Sequence, residues 1–131
     1  MTMRVALVVP EGEIWTGTAE IVIAKTLDGD IGVMTDHAPV LGILAEGSVV
    51  QIRPGSGSDQ DVFAAVSGGF FSVADNRVSI LARHAQLGAQ VDTAAAKAAL
   101  DEALQAPEPG TEESADVRYF RALLRASGQA N

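Results

Sequence analysis

The sequence predicts an α+β protein in which a β-sandwich or barrel is followed by a helical hairpin. Two observations carry this reading. Between residues 3 and 85, β-branched side chains alternate with polar ones, and turn signals interrupt them about every eight to twelve positions, the spacing of short strands in a sandwich or barrel. From Asp92 onward the apolar repeat lengthens to that of a helix. At 131 residues, against roughly 150 for an average domain, the chain has room for one core with a small appendage. The predicted division is 1–86 for the strands and 87–131 for the helices.

The predicted strands are 3–9, 18–25, 31–34, 48–53, 61–66, 69–74 and 77–82. Between them, Pro10 to Gly12, Asp28-Gly29, Pro54-Gly55 and Asp75-Asn76 supply either a φ preset by proline or residues that tolerate positive φ. Asp75-Asn76 predicts a tight hairpin between the last two strands. Within 18–25, Ala19, Ile21 and Ile23 fall on one face and Val22 and Ala24 on the other, so this strand is apolar on both sides and predicted central. Gly68-Gly69 predicts a bulge or crossing where a second backbone comes close. Gly55-Ser56-Gly57-Ser58 reads as a flexible loop tip.

In the C-terminal part, Asp92 is a plausible N-cap, and Ala96, Leu100, Ala103 and Leu104 form a stripe at i, i+4, i+7 and i+8. Pro107, Pro109 and Gly110 end that helix. Asp116 starts a second one, with Val117, Phe120 and Leu124 on one stripe and Arg118, Arg121 and Arg125 on a neighbouring basic stripe. Helices of roughly 12 to 15 residues are marginal alone and borrow stability from packing. With few large apolar anchors, this hairpin is expected to detach without unfolding the strands.

Composition removes whole classes of function. Nine Lys+Arg against 17 Asp+Glu give a net charge of −8, which repels nucleic-acid backbones and anionic lipid alike. The absence of cysteine removes disulfides, thiol nucleophiles and iron-sulfur clusters. No uncharged stretch approaches the roughly 20 apolar residues of a membrane span, so direct membrane insertion is not expected. Neither Lys25 nor Lys97 follows a glycine, which excludes a P-loop. Ser67 lacks the first glycine of a Gly-x-Ser-x-Gly elbow.

The densest group of ionisable and turn residues is Asp28-Gly29-Asp30-Ile31-Gly32-Val33-Met34-Thr35-Asp36-His37-Ala38-Pro39. On residue types alone it is an interaction loop, a solvated structural loop or an acid/base site. The lack of a second nearby histidine argues against a metal. The arginine stripe is likewise either a solvated face or a clamp for phosphate or carboxylate. A nucleotide-sensing domain is therefore an alternative reading.

The run Asp28-Gly29-Asp30-Ile31-Gly32-Val33-Met34 followed by His37-Ala38-Pro39-Val40-Leu41 resembles the central motif of the epsilon subunit of F-type ATP synthases. Val8-Val9-Pro10-Glu11-Gly12, Val66-Ser67-Gly68-Gly69-Phe70 and Val78-Ser79-Ile80-Leu81-Ala82 resemble further segments of that family in the same order, covering residues 4–86. The resemblance implies a ten-stranded β-sandwich docked on the gamma subunit and the c-ring, followed by a two-helix hairpin that regulates ATP hydrolysis and can extend toward the catalytic beta subunits. It implies a non-catalytic central-stalk part of a proton-translocating synthase, held peripherally at the cytoplasmic face of the plasma membrane. In the family the loop matching Asp30 to His37 faces the c-ring, which makes Asp30, Gly32, Met34 and His37 the expected c-ring contacts.

Two departures stand out. Thr35-Asp36 occupies the place where many family members carry Pro-Gly. The nucleotide motif of some members aligns with Val91-Asp92-Thr93-Ala94-Ala95-Ala96, with alanine at the arginine position. Arg121-Ala122-Leu123-Leu124-Arg125 keeps the spacing of the second helix. The expectation is therefore no resident cofactor, with ATP held weakly or not at all through Asp92, Arg121 and Arg125.

Overall fold

The computed structural model describes residues 2–54, 60–105 and 115–130. The strands are β1 (Met3–Val9), β2 (Gly12–Thr26), β3 (Gly29–Met34), β4 (Val40–Ile43), β5 (Ser48–Pro54), β6 (Val62–Ala74) and β7 (Arg77–Leu87), and the helices are α1 (Thr93–Gln105) and α2 (Ala115–Ala130). The predicted loop tip 55–58, the second half of the Pro54-Gly55 turn and the helix stop at Pro107, Pro109 and Gly110 lie outside the described residues. β1 pairs with β7 in parallel and with β2 antiparallel, so β1, β7, β6, β5 and β2 close on themselves. β3 hangs on β2 and β4 on β6. The enclosed core is apolar and mostly aliphatic, with Met3, Leu7, Val22, Leu44, Ile52 and Ile80 packed with the ring of Phe71 among its fully buried side chains.

The expected ten strands are seven among the described residues. β2, β6 and β7 run for 15, 13 and 11 residues and pass from one layer to the other without breaking. In β2 and β6 the bend has a cause in the sequence. In β2 the pairing with β5 skips Glu20, so Ala19 turns inward beside Val22 and Ala24 while Ile21 and Ile23 lie on the outer side. This corrects the predicted face, on which Ala19 stood with Ile21 and Ile23. In β6 the register with β7 passes over Gly68, which has φ 70°, and Gly69 has φ 113°. A Cβ on Gly69 would collide with the Leu81 carbonyl oxygen, so the predicted close approach of backbones is present.

The predicted Asp75-Asn76 hairpin is also present. Ala74 pairs with Arg77, and both turn residues are left-handed, at φ 53° and 60°, as a two-residue type I′ connection requires. β4 was not predicted, since four residues behind Pro39 with Gly42 inside carry little strand signal. Gly42 is needed there because a Cβ would collide with the ring of Phe71. The first half of β2 was also missed, because Gly12 and Gly17 read as turn residues, although Gly17 makes room for the Trp15 ring, 3.0 Å from where a Cβ would stand.

Asp92 caps α1: the Ala95 N–H donates to its side-chain Oδ1 at 3.1 Å and the Ala96 N–H to its carbonyl at 2.9 Å. α2 lies on the outer side of β5 and β6, where Ala122, Leu123 and Ala126 meet Ala65, Val49 and Phe63, and α1 packs on α2. The α1 stripe differs from expectation. Only Ala96 is fully buried, and Leu104 is 51% exposed, because small alanines rather than leucines form the contact with α2. On α2, Val117 is buried as predicted, but Phe120 and Leu124 are half-buried beside the deeper Ala122, Leu123 and Ala126.

Candidate functional site

β3 is the end strand of its layer, and its alternation decides which predicted contacts share a surface. Ile31 and Val33 point inward, while Asp30, Gly32 and Met34 are exposed on the other side, opposite Lys25, Ile23 and Ile21 of β2. Asp30 and Met34 are about 13 Å apart along the strand. Asp30 lines an open groove of about 270 Å³ with Lys25, Ser48 and Arg125. Met34 instead lies beside the loop 35–39. There the His37 N–H donates to the Met34 carbonyl at 3.1 Å, and its ring Nδ1 lies 2.7 Å from the Ala38 carbonyl, a partner to which it can only donate. The four residues thus form one edge, with Asp30, Gly32 and Met34 exposed, Asp30 at the helical end and the half-buried His37 at the other.

Asp36 keeps the turn that Pro-Gly would make. Its φ is 67°, in the left-handed region that glycine favours, and the Asn76 side chain is bonded to it twice. The substitution therefore retains the loop's geometry while tying it to the β6–β7 turn.

The anion contacts expected at Asp92, Arg121 and Arg125 are only partly brought together. Arg121 and Arg125 line a groove of about 330 Å³ with Arg118, Lys25 and residues 45–48. Asp92 does not line it, and its carboxylate is engaged in capping α1. The Arg125 guanidinium donates to the Gly47 carbonyl at 3.0 Å. Glu46, the one acid in the lining, is turned toward Arg83 at 3.1 Å. Lys25 and Gly47 complete this basic groove from the sandwich, a contribution that the helical repeat alone does not reveal. Farther along α2, Tyr119 stands against the ring of His84 at 6.1 Å, and burial pushes its phenol pKa up.

A further surface was missed entirely. Across the outer side of the other layer, Ile43 pairs with Phe70, Phe70 with Leu81 and Leu81 with Val8, so four strands contribute one continuous apolar row. Ile43 is 59%, Phe70 45% and Leu81 36% exposed, and Leu41, two residues before Ile43, is 71% exposed. Val8, Pro10, Phe70 and Leu81 border an open groove of about 310 Å³. A contiguous exposed apolar patch of this kind marks a contact surface. Among the described residues no three His, Asp or Glu side chains are grouped so as to hold a metal ion, and no helix is long and apolar enough to cross a membrane.

Residues 2–88 match the family described as ATP synthase, Delta/Epsilon chain, beta-sandwich domain. The chain is 46% identical over 124 residues to the ATP synthase epsilon chain of Thermobifida fusca, covering 94% of this chain and 90% of that one. It is 48% identical over 87 residues to the epsilon chain of Frankia casuarinae, which takes in 66% of this chain and 99% of the relative. In fold it is similar to a chain in the cryo-EM structure of the Euglena gracilis mitochondrial ATP synthase, OSCP/F1/c-ring, with a TM-score of 0.76, 22% identity, and 96% and 81% of the two chains covered.

Proposed function

The chain belongs to the ATP synthase delta/epsilon family, and we propose that it is the epsilon-type central-stalk subunit of a proton-translocating F-type synthase, coupling c-ring rotation to the catalytic sector through gamma. The observation that carries this reading is the apolar row Ile43, Phe70, Leu81 and Val8, which none of the described residues covers. It is the docking surface for gamma, while the edge with Asp30, Gly32, Met34 and His37 meets the c-ring loops. The subunit itself catalyses nothing. It is peripheral, attached at the cytoplasmic face of the plasma membrane through the complex.

Residues 87–131 form the regulatory unit and 1–86 the rotor unit. A Frankia relative whose full length corresponds to two thirds of this chain supports the idea that the first unit suffices for part of the role. The contact of α2 with β5 and β6 is separate from the core inside the strands and four of its five buried residues are alanines, which suits a hairpin that leaves the sandwich, extends toward the catalytic beta subunits and restrains hydrolysis. The reading is tested by adding the chain to epsilon-depleted F1 on stripped membranes. Restored ATP-driven proton pumping supports it, and unchanged pumping at full subunit occupancy contradicts it.

A second reading, nucleotide sensing, is favoured by one observation: Lys25, Arg118, Arg121 and Arg125 converge on a single groove. Without an α1 arginine, this groove holds ATP only weakly.

A further inference from the structure

The apolar row ends in charge. Along β1, Arg4, Ala6 and Val8 point to the same outer side, and along β7 so do Arg77, Ser79 and Leu81. In the parallel register Arg4 lies directly beside Arg77, and both are exposed. Two like charges abreast on neighbouring strands repel each other, and neither guanidinium is held by an ion pair among the described residues. The two line an open groove of about 390 Å³ with Ala6 and with Thr16 and Ser79, the last two adding hydroxyl donors. Glu13, also in the lining, pairs with Val8, about 13 Å along β1 from Arg4, at the apolar end. A chain of net charge −8 has thus set two of its nine basic residues side by side at the foot of an uncovered apolar row.

From this juxtaposition we propose that Arg4 and Arg77 receive a carboxylate side chain of the gamma subunit. The partner segment lays apolar residues over Val8, Leu81, Phe70 and Ile43 and carries an Asp or Glu about 13 Å away, a reach of four residues along a strand. The small side chains between them, Ala6 and Ser79, leave the segment room to lie flat. The charged end then fixes the direction in which the segment docks, which an apolar row alone does not. This inference rests on the reading of the apolar row as the gamma contact.

The test is titration of purified gamma with the full chain, at low and at near-physiological salt. Wild-type affinity should fall as salt rises. Arg4→Ala/Arg77→Ala should bind about tenfold to a hundredfold more weakly, with a flatter salt dependence, as loss of charge-assisted contacts requires. The isolated double variant should melt no lower than wild type at low salt, since repulsion has been removed. Arg4→Lys/Arg77→Lys, which keeps both charges, should retain the wild-type salt slope. Wild-type affinity and slope in the alanine variant would overturn the proposal. So would binding of the wild-type chain, but not of that variant, to phosphatidylserine vesicles, which would assign the pair to a lipid surface. Phe70→Asp separates the two layers of argument. If it binds gamma like wild type, the apolar row is not the gamma contact. If it fails to bind while the arginine variants bind normally, only the present inference falls.

Discussion

Asp36 and Asn76, 40 residues apart, hold each other in left-handed backbone conformations: the Asp36 N–H donates to Asn76 Oδ1 at 2.6 Å, and Asn76 Nδ2 donates to Asp36 Oδ1 at 3.1 Å. Asn76 also accepts the Arg4 N–H at its carbonyl, 2.9 Å away. One turn residue therefore joins the loop that bears His37, the start of β1 and the β6–β7 hairpin. Aspartate and asparagine are the non-glycine residues that tolerate this φ best, which is how the chain dispenses with glycine at both positions.

Asn76→Ala should destabilise the chain by about 1–3 kcal/mol, from two lost side-chain bonds and a left-handed residue without local compensation. Asn76→Gly, which relieves the backbone but not the bonds, should cost less than alanine. Chemical denaturation of the three proteins checks the order. Equal losses for both variants would mean that the side-chain bonds alone matter.

Gly47→Ala should release α2. Gly47 has φ 64°, and a Cβ there would collide with the backbone of Arg118, so the variant bears both strain and a clash at the point where Arg125 is anchored. Limited trypsin digestion should cut at Arg118, Arg121 or Arg125 several times faster than in wild type, with β-sheet circular dichroism unchanged. Unchanged cleavage would mean that the 45–48 loop does not hold the helix.

A chain ending at Gln90 should fold and unfold cooperatively, because the apolar core is supplied by the strands and Leu44 and neither helix adds to it. Val49, Phe63 and Ala65 lose their cover, so the truncated chain should be less soluble, and its stability should fall by no more than about 6 kcal/mol, the burial of a few apolar side chains. Loss of near-ultraviolet dichroism in the truncated chain would make the hairpin part of the core.

The isolated chain should bind MgATP more weakly than about 10 μM, since Asp92 is spent on the cap and Ala95 supplies no donor. Ala95→Arg adds a guanidinium on the exposed first turn of α1. Titration calorimetry decides: a clear low-micromolar isotherm that Arg121→Ala abolishes would promote the nucleotide-sensing reading.

Local chemistry was legible in the sequence, and non-local juxtaposition was not. Asp75-Asn76, the Asp92 cap and the Gly68-Gly69 crossing each depend on a residue's own φ preference or on a neighbour within three positions. Glu20 gave no sign of its bulge, because any residue can be the extra one in a strand, and that single slip turned Ala19 to the other face. β4 was hidden by its brevity. The candidates Asp30, Gly32, Met34 and His37 came from the family resemblance, and strand alternation in the structure puts the first three on one side of β3. The row Ile43, Phe70, Leu81 and Val8 and the pair Arg4 and Arg77 come from strands distant in sequence, and no periodicity within one segment encodes which strands become neighbours.

The most direct test of the central claim is affinity purification of the tagged full chain from detergent-solubilised native membranes, with the recovered subunits quantified by mass spectrometry. The account predicts gamma and c-ring subunits recovered in fixed stoichiometry with the chain, and their loss in Phe70→Asp. Recovery of the wild-type chain without gamma, from membranes whose synthase is intact, would contradict it.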